Sequence, residues 1–245
     1  MRSPSKILAL TVLAATLSIT ALGACGGGSD SAPGPLGKHF DDMYIAAIPL
    51  DQKQSMVQSQ NDWSLAKMQN AKADADVSDA TTQLSIVRND HKAAKLGVES
   101  AVASKKAADA SADKSRINQA TKELHAAEGL AKAAEARIKY FDAYRNYLLK
   151  VQRHAQENMY WREAQYENAK AKLGEKNGIS PKGVSFEAFS KQEHDRAGRE
   201  SSARGRVDDA RDKAKSARDR WRSAQESADR DNGHSTDLPD PMAKS

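Results

Sequence analysis

Residues 203–228 read ARGRVDDARDKAKSARDRWRSAQESA, and this stretch decides the fold class. Its apolar residues recur in alternating steps of four and three, at Ala203, Val207, Ala210, Ala214, Ala217, Trp221, Ala224 and Ala228. This alternation places one narrow apolar stripe along an α-helix, which is the signature of coiled-coil packing. The stretch therefore predicts a long helix that packs through its stripe against another helix.

The same seven-residue repeat runs through the preceding segment, which has no proline from Leu50 to Gly178. Its first half predicts the seam positions Met56, Trp63, Asn70, Val77, Leu84, His91, Val98 and Lys105, with companions Ser59, Ala66, Ala73, Ala80, Val87, Ala94, Ala101 and Ala108. Its second half predicts Ile117, Leu124, Ala131, Ile138, Arg145, Gln152, Met159, Tyr166 and Leu173, with companions Ala120, Ala127, Ala134, Phe141, Leu148, Ala155, Arg162 and Ala169. A repeat sustained over so many heptads predicts supercoiled helices.

The composition agrees with long helices that share a thin apolar seam. The 245 residues include 42 alanines but only 37 residues of Leu, Ile, Val and Phe, and the net charge is only +5. So few large apolar side chains argue against a Rossmann fold, a barrel or a sandwich. We therefore predict an all-α protein. We also predict no enzymatic activity, because the sequence has no P-loop, nucleophile elbow or zinc-protease signature.

The segment from Leu50 to Leu173 is either one continuous helix or a hairpin. A single helix of this length would be about 186 Å long. A hairpin that turns near 109–115 has two arms of similar length and brings their seams together. We therefore predict an antiparallel coiled-coil hairpin over 40–178, with Gly97 as the second candidate for the turn.

Proline, glycine and charge divide the rest of the chain. Pro181 and Gly183 predict a loop at 179–184. A third, charged coiled-coil helix is predicted over 185–231, packed on the hairpin. Its 12 basic and 11 acidic residues are interleaved, so it has little net potential for phosphate and no nucleic-acid partner is predicted. The tail 232–245 contains two prolines and is predicted to be disordered.

The first 25 residues have the features of an export signal. A short basic start precedes an apolar stretch over 7–23, which is too short for a membrane-spanning helix. The stretch runs into the sequence LGAC at 22–25, and Cys25 is the only cysteine of the chain. An exported chain therefore offers Cys25 no disulfide partner within itself.

The LGAC box after such a signal resembles the lipobox of bacterial lipoproteins. The resemblance implies that residues 1–24 are a signal peptide and that Cys25 becomes the mature N-terminus, with two acyl chains of the palmitate type on its sulfur. It also implies a cell-envelope protein anchored in the outer membrane and facing the periplasm, because Gly26 stands where aspartate favours inner-membrane retention. Residues 25–39 are rich in Gly, Ser and Pro and are predicted to be a flexible lipidated tether.

Aromatic residues are predicted to gather at the end of the hairpin nearest the anchor. Seven of the 13 lie between Tyr140 and Tyr166, and the hairpin would bring them together with Phe40, Tyr44, Trp63, Phe186 and Phe189. Trp63 is expected to meet Trp161 or Arg162. This aromatic base is either a packed core or, as a less favoured hypothesis, a ligand-binding module.

The sequence nominates no catalytic residue, cofactor or metal ligand. The six histidines are spaced too widely to offer a metal two ligands on one helical turn. His91 stands at a seam position, where it forms a polar layer or a pH-sensitive element. Asp74, Asp76 and Asp79 look like part of a calcium loop, but the central glycine and the closing glutamate are missing.

Beyond the lipobox, the chain resembles periplasmic coiled-coil lipoproteins in general. It is also weakly similar to the helical hairpins of efflux adaptors and tunnel proteins, through its Ala- and Gln-rich arms 63–105 and 117–173. Two hypotheses follow: a structural spacer, scaffold or docking rod, or an accessory of a transport assembly that docks through its hairpin tip. The expected partners are the membrane, through acyl chains on Cys25, and other coiled-coil envelope proteins or a second copy.

Overall fold

The computed structural model describes residues 32–244, and all regular structure within this range is helical. The elements are α1 (Asp42–Ile45), a 3₁₀ turn (Leu50–Lys53), α2 (Gln54–Ala110), α3 (Lys114–Lys176), α4 (Phe186–Asn232) and a second 3₁₀ turn (Pro241–Lys244). The prediction of an all-α hairpin with a third helix packed on it is confirmed. No helix in the described range combines the length and the apolarity needed to cross a membrane. The predicted signal peptide and Cys25 lie outside the described residues.

The hairpin turns at 111–113, within the predicted segment and not at Gly97. α2 ends where the Ser111 N–H donates to the Ala108 carbonyl at 3.0 Å, and Ala112 then takes a φ of +54°. The Asp113 carboxylate caps α3 by accepting from two backbone N–H groups of its first turn. Such a cap satisfies donors that have no partner inside the helix, so the turn forms without glycine or proline.

The seam of α2 is the one that the heptad repeat predicts. The side chains of α2 that are buried all occupy predicted seam positions, and they are Met56, Ala66, Ala73, Ala80, Leu84, Val87 and Ala108. Leu84 lies in one buried cluster with Phe141 of α3. The register is also fixed by Arg145 of α3, whose Nε donates to the Thr81 hydroxyl at 3.0 Å.

α3 lies between α2 and α4 and therefore has two buried faces. One face carries the predicted seam. The other face carries residues outside that seam and packs against α4. Tyr140, for example, lies on this face and stacks on Trp221 of α4 with ring centroids 5.3 Å apart. The heptad analysis assigned one stripe to each helix, so it did not predict this second face.

α4 ends before the tip of the hairpin. A Cβ on Gly129 of α3 would lie 3.6 Å from the Cα of Ala228, near the end of α4. His125 Nδ1 lies 3.7 Å from Asp231 Oδ2, close to the last residue of α4. At 1.5 Å per residue, the hairpin continues for about 17 Å beyond His125 as two helices. The body thus changes from three helices to two toward its tip.

Two segments predicted to be disordered or flexible make specific contacts in the parts that the structure describes, which are 32–39 of the tether and 232–244 of the tail. In the tail 232–245, Met242 is buried and Asp240 is hydrogen-bonded to α3 and α4. In the predicted tether 25–39, Leu36 is buried and Arg196 donates to the Gly34 carbonyl at 2.8 Å. Contacts with distant helices compensate for the entropy lost when these segments are ordered, and composition does not reveal such contacts.

Candidate functional site

The chain enters the described body at the end opposite the hairpin tip. Phe40 is buried, and its ring packs against Phe186 and Phe189 of α4 with centroids 6.2 and 5.9 Å apart. A Cβ on Gly174 of α3 would lie 2.7 Å from Phe40 Cζ, so glycine is what allows this close approach. These contacts attach the entry segment, which we define as residues 33–48, to the last turn of α3 and the first turn of α4.

A buried ion network attaches the same entry segment to α3. Glu167 accepts hydrogen bonds from the Phe40 backbone N–H at 2.6 Å and from Lys170 Nζ at 2.9 Å. Lys170 Nζ also binds the Asp42 carboxylate at 2.9 Å. Burial lowers the pKa of Lys170, but the hydrogen bonds and charges of Glu167 and Asp42 raise it more, and the net pKa lies above its ordinary value. Lys170 therefore stays charged at neutral pH and joins the entry segment to α3.

The entry segment also contacts α4 through its backbone. The Lys38 N–H donates to Gln192 Oε1 at 2.9 Å, and Gln192 Nε2 donates back to the Lys38 carbonyl at 3.0 Å. Arg196, one turn further along α4, binds the carbonyls of Gly34 and Pro35. The segment therefore has a defined path along α4 instead of the flexible path predicted for it.

The aromatic residues form two clusters and not the single base that was predicted. The first includes Phe40, Tyr166 and Phe189, near the entry segment. The second includes Tyr140, Phe141 and Trp221, partway along α3. At 1.5 Å per residue, Tyr140 and Tyr166 are about 39 Å apart along α3, because a continuous helix separates residues that look clustered in sequence.

Trp63 contacts residues other than the predicted Trp161 and Arg162. Its ring stacks on Tyr166 with centroids 5.7 Å apart, and Lys67 Nζ lies 3.6 Å from the ring centroid. Arg162 instead lies over the Trp161 ring at 4.5 Å. The cation–π contact of Trp63 is therefore made by Lys67 of the same helix and not by Arg162 of α3. Lys67 can reach the ring because residues four positions apart are neighbours on a helical surface.

The residues considered for metal binding lie in regular helix. Asp74 and Asp76 are inside α2, where Asp76 pairs with Lys72 and Asp74 accepts a hydrogen bond from Gln152. His91 is half-buried on the same helix. Within residues 32–244, no three His, Cys, Asp or Glu side chains come together as a possible metal-ligand set. That the protein has no catalytic, cofactor or metal residue stays a prediction.

A buried ion cluster between α3 and α4 was missed by the sequence analysis. Glu157, only 1% exposed, accepts from Arg153 at 2.7 Å and from Arg199 of α4 at 3.0 Å. Nearby, His154 Nε2 lies 2.6 Å from a carboxylate oxygen of Glu200. Glu200 lies one heptad before Val207 and therefore at a seam position of α4. A charged residue at a seam position was the one sign in the sequence of an ion pair buried there.

The C-terminal segment is held by a second feature that sequence reasoning missed. We call it the C-terminal clamp, and it consists of Tyr140, Arg218 and Arg222 around the Asp240 carboxylate. Tyr140 donates to Oδ1 at 2.6 Å, and Arg218 Nε and Arg222 Nη2 donate to Oδ2 at 2.6 and 2.7 Å. Burial raises the pKa of Asp240, but these hydrogen bonds lower it more, so the net pKa is below its ordinary value. Burial and the hydrogen bond to Asp240 raise the pKa of Tyr140, which keeps its phenol a donor.

Replacing Asp240 with asparagine should release the C-terminal segment and leave the three long helices folded. The Met242 N–H lies 3.1 Å from Asp240 Oδ1 and 3.3 Å from the Tyr140 hydroxyl, so its hydrogen-exchange protection reports on the clamp. A hydrogen bond to a charged group contributes about 1.5–3 kcal/mol, so we expect the protection factor to fall about tenfold or more. The neighbouring exposed carboxyl provides a matched control, and Asp237→Asn should leave the protection factor unchanged.

The clamp should also depend on pH. The pKa of Asp240 is lower in the folded chain than the unfolded value of about 3.9, so its stabilisation is complete above about pH 4. It is lost as the pH falls through the folded pKa, because the carboxylate must then be protonated. Met242 protection should follow this titration in the unchanged chain and should not follow it after Asp240→Asn. Equal acid sensitivity of the two chains would contradict the role of the clamp.

The described body has the entry segment at one end and the two-helix hairpin tip at the other. Comparison of the chain with protein-family models, with curated proteins and with solved structures found no match.

Proposed function

We propose that this chain is a lipid-anchored protein of the bacterial cell envelope whose helical body acts as a structural spacer or docking scaffold. The observation that carries the proposal is the LGAC box at 22–25, which follows a basic start and an apolar stretch of export-signal length. Two acyl chains on Cys25 would hold the protein to a bilayer far more firmly than a single chain.

The path of the chain supports an anchor at one end of the body. Cys25 precedes Pro33 by only eight residues, and the entry segment that begins at Pro33 is attached to the start of α4 and the end of α3. α3 begins at the hairpin tip and reaches this end after 63 residues, or about 95 Å at 1.5 Å per residue. An anchor on this side leaves the tip available for contacts at a distance from the membrane.

The outer side of α2 supports docking to another helix. Four large apolar side chains are exposed on α2, at Leu65, Met68, Ile86 and Leu96, and Ile86 also lines a cavity beside the C-terminal segment. Leu65 and Ile86 are three heptads apart, and Met68 and Leu96 are four heptads apart, so the four share one face of the helix. Exposed apolar side chains on one helical face are what a coiled-coil partner or a second copy of the chain would cover.

In a bacterial host fed alkyne-labelled palmitate, the chain should take up the label and sediment with membranes. Cys25→Ser should abolish both, because the acylated sulfur is lost, and Ser29→Ala should change neither. The same strains can carry a photo-crosslinking residue at Leu96 or, as a control, at buried Val87. We expect an envelope partner or a second copy to be captured from position 96 and not from 87.

Two outcomes would contradict the proposal. An unlabelled chain, or a Cys25→Ser chain that remains in the membrane fraction, would refute the lipid anchor. Equal capture from positions 96 and 87 would refute docking through the exposed face of α2. The two readouts are independent, so the anchor and the docking face can fail separately.

A further inference from the structure

A groove with two chambers lies beside α3 at the level of Arg137. One chamber, with a volume of about 330 Å³, is lined by Gln83, Ile86, Phe141 and the C-terminal residues 239–241. The other, of about 360 Å³, is lined by Ala94, Leu130, Ala134 and Leu238. Val87 and Arg137 line both chambers, so the two adjoin. Each has the volume of a small-molecule site and walls that are mostly apolar.

Arg137 brings a buried positive charge to the boundary between the chambers. Its side chain is only 10% exposed, and its Nη1 donates to Asp90 Oδ2 at 3.0 Å. Its Nε has no hydrogen-bond partner within the described residues. The side chain of Asp90 is 50% exposed. Because Nε is enclosed, a ligand would reach this charge through the Nη groups, beside the half-exposed Asp90.

The pKa of Arg137 also indicates that its positive charge is not fully compensated. Burial lowers its pKa, and the charge and hydrogen bond of Asp90 do not fully restore it. The other carboxylate at the groove, that of Asp240, already accepts three hydrogen bonds from the C-terminal clamp. A ligand anion at Arg137 would add to the compensation from Asp90 and from the Phe141 ring, whose centroid lies 5.3 Å from Arg137 Cζ.

We propose that this groove binds an amphiphile with one anionic headgroup and a single apolar chain. The headgroup would bind the guanidinium of Arg137, and the apolar chain would lie along one chamber and remove its walls from water. The C-terminal segment forms one wall of the groove, so the clamp on Asp240 also fixes the position of that wall. This proposal does not depend on the lipid anchor.

Photo-labelling of the full chain tests the proposal. The probe is a twelve-carbon fatty acid with a diazirine in its chain, and adducts are located by mass spectrometry after proteolysis. We expect adducts in the α2 peptide around 83–94 and the α3 peptide around 130–141. Arg137→Gln should reduce labelling of these peptides about tenfold or more, because a charge-assisted hydrogen bond is lost. Lys139→Gln is the matched control, and it should label normally because this side chain is 71% exposed.

Chamber-filling variants keep the test independent of Arg137. Gln83 is exposed and outside the seam, so a tryptophan there adds bulk at a chamber wall without replacing a core side chain. Ala94 is half-buried at a seam position, so the Ala94→Trp chain must also keep the unfolding midpoint of the unchanged chain. Gln83→Trp or Ala94→Trp should block labelling, and the one that does so identifies the chamber that holds the apolar chain. Normal labelling of both variants would overturn the proposal.

Competition with unlabelled amphiphiles identifies the headgroup. Dodecanoate should compete with the probe if the site takes a carboxylate, and dodecyl phosphate should compete if it takes a phosphate; either result supports an anionic headgroup. Equal competition by dodecylamine would overturn the proposal, because it would mean binding through the apolar chain alone. Adducts confined to residues 7–23, or unchanged labelling of a folded Arg137→Gln chain, would overturn it as well.

Discussion

Replacing Phe141 with alanine should lower the free energy of unfolding by about 3–5 kcal/mol. The side chain is 2% exposed, and its ring meets Tyr140 edge-on with centroids 5.3 Å apart. Leu84 of α2 and Trp221 of α4 complete the cluster, so the substitution opens a cavity where all three long helices meet. Urea unfolding followed by circular dichroism measures the change.

Leu96→Ala is the matched control for this substitution. Leu96 is 64% exposed on α2, so its truncation removes a large apolar side chain without opening a cavity. We expect its effect to stay within about 0.5 kcal/mol. A loss below about 1 kcal/mol for Phe141→Ala would show that the cluster around it is not a main source of stability.

Replacing Glu157 with glutamine should lower the free energy of unfolding by about 3 kcal/mol. The side chain keeps its size but loses the charge that Arg153 and Arg199 share at the interface of α3 and α4. The Arg153 side chain is only 11% exposed, so removing the carboxylate beside it leaves a charge at the interface that is costly to bury. Hydrogen exchange should therefore rise in α4 around Arg199 more than in α2.

Glu135→Gln is the matched control for Glu157→Gln. It also removes a carboxylate from α3, but from the exposed surface instead of the buried cluster. Glu135 pairs with Lys139 on the exposed surface, and pairs of this kind contribute little to stability. We expect no measurable change in the unfolding midpoint for this control. If Glu157→Gln behaved like the control, the buried cluster would not be what holds α4 to α3.

Phe141 and Glu157 differ in how far the sequence could predict their roles. Phe141 stands at a seam position of the heptad repeat, so its burial was expected before the structure was known. Glu157 lies on the second buried face of α3 and has no place in that repeat. A charged residue is expected to be solvated unless a partner is known, and Arg199 is 42 residues away in sequence.

The heptad repeat by itself determined the helices and the stripe that each arm presents, and the packing of α2 on α3 in the structure decided for a hairpin over one continuous helix. The buried side chains of α2 all stand at positions that the repeat names, as do Ala203, Ala214, Trp221 and Ala228 of α4. This succeeds because helical periodicity is a local property: a residue faces the seam whatever lies opposite. The proposed signal peptide and the lipid on Cys25 also rest on local sequence alone.

Only the tertiary structure decided which helix lies in the middle and how the two ends of the chain are held. The C-terminal clamp joins Tyr140 to Asp240, the entry segment joins Phe40 to Glu167, and the groove depends on Arg137 meeting Asp90. In each pair the partners are at least 47 residues apart. Pairings between distant residues depend on how whole helices pack, and neither composition nor spacing within one segment carries that information.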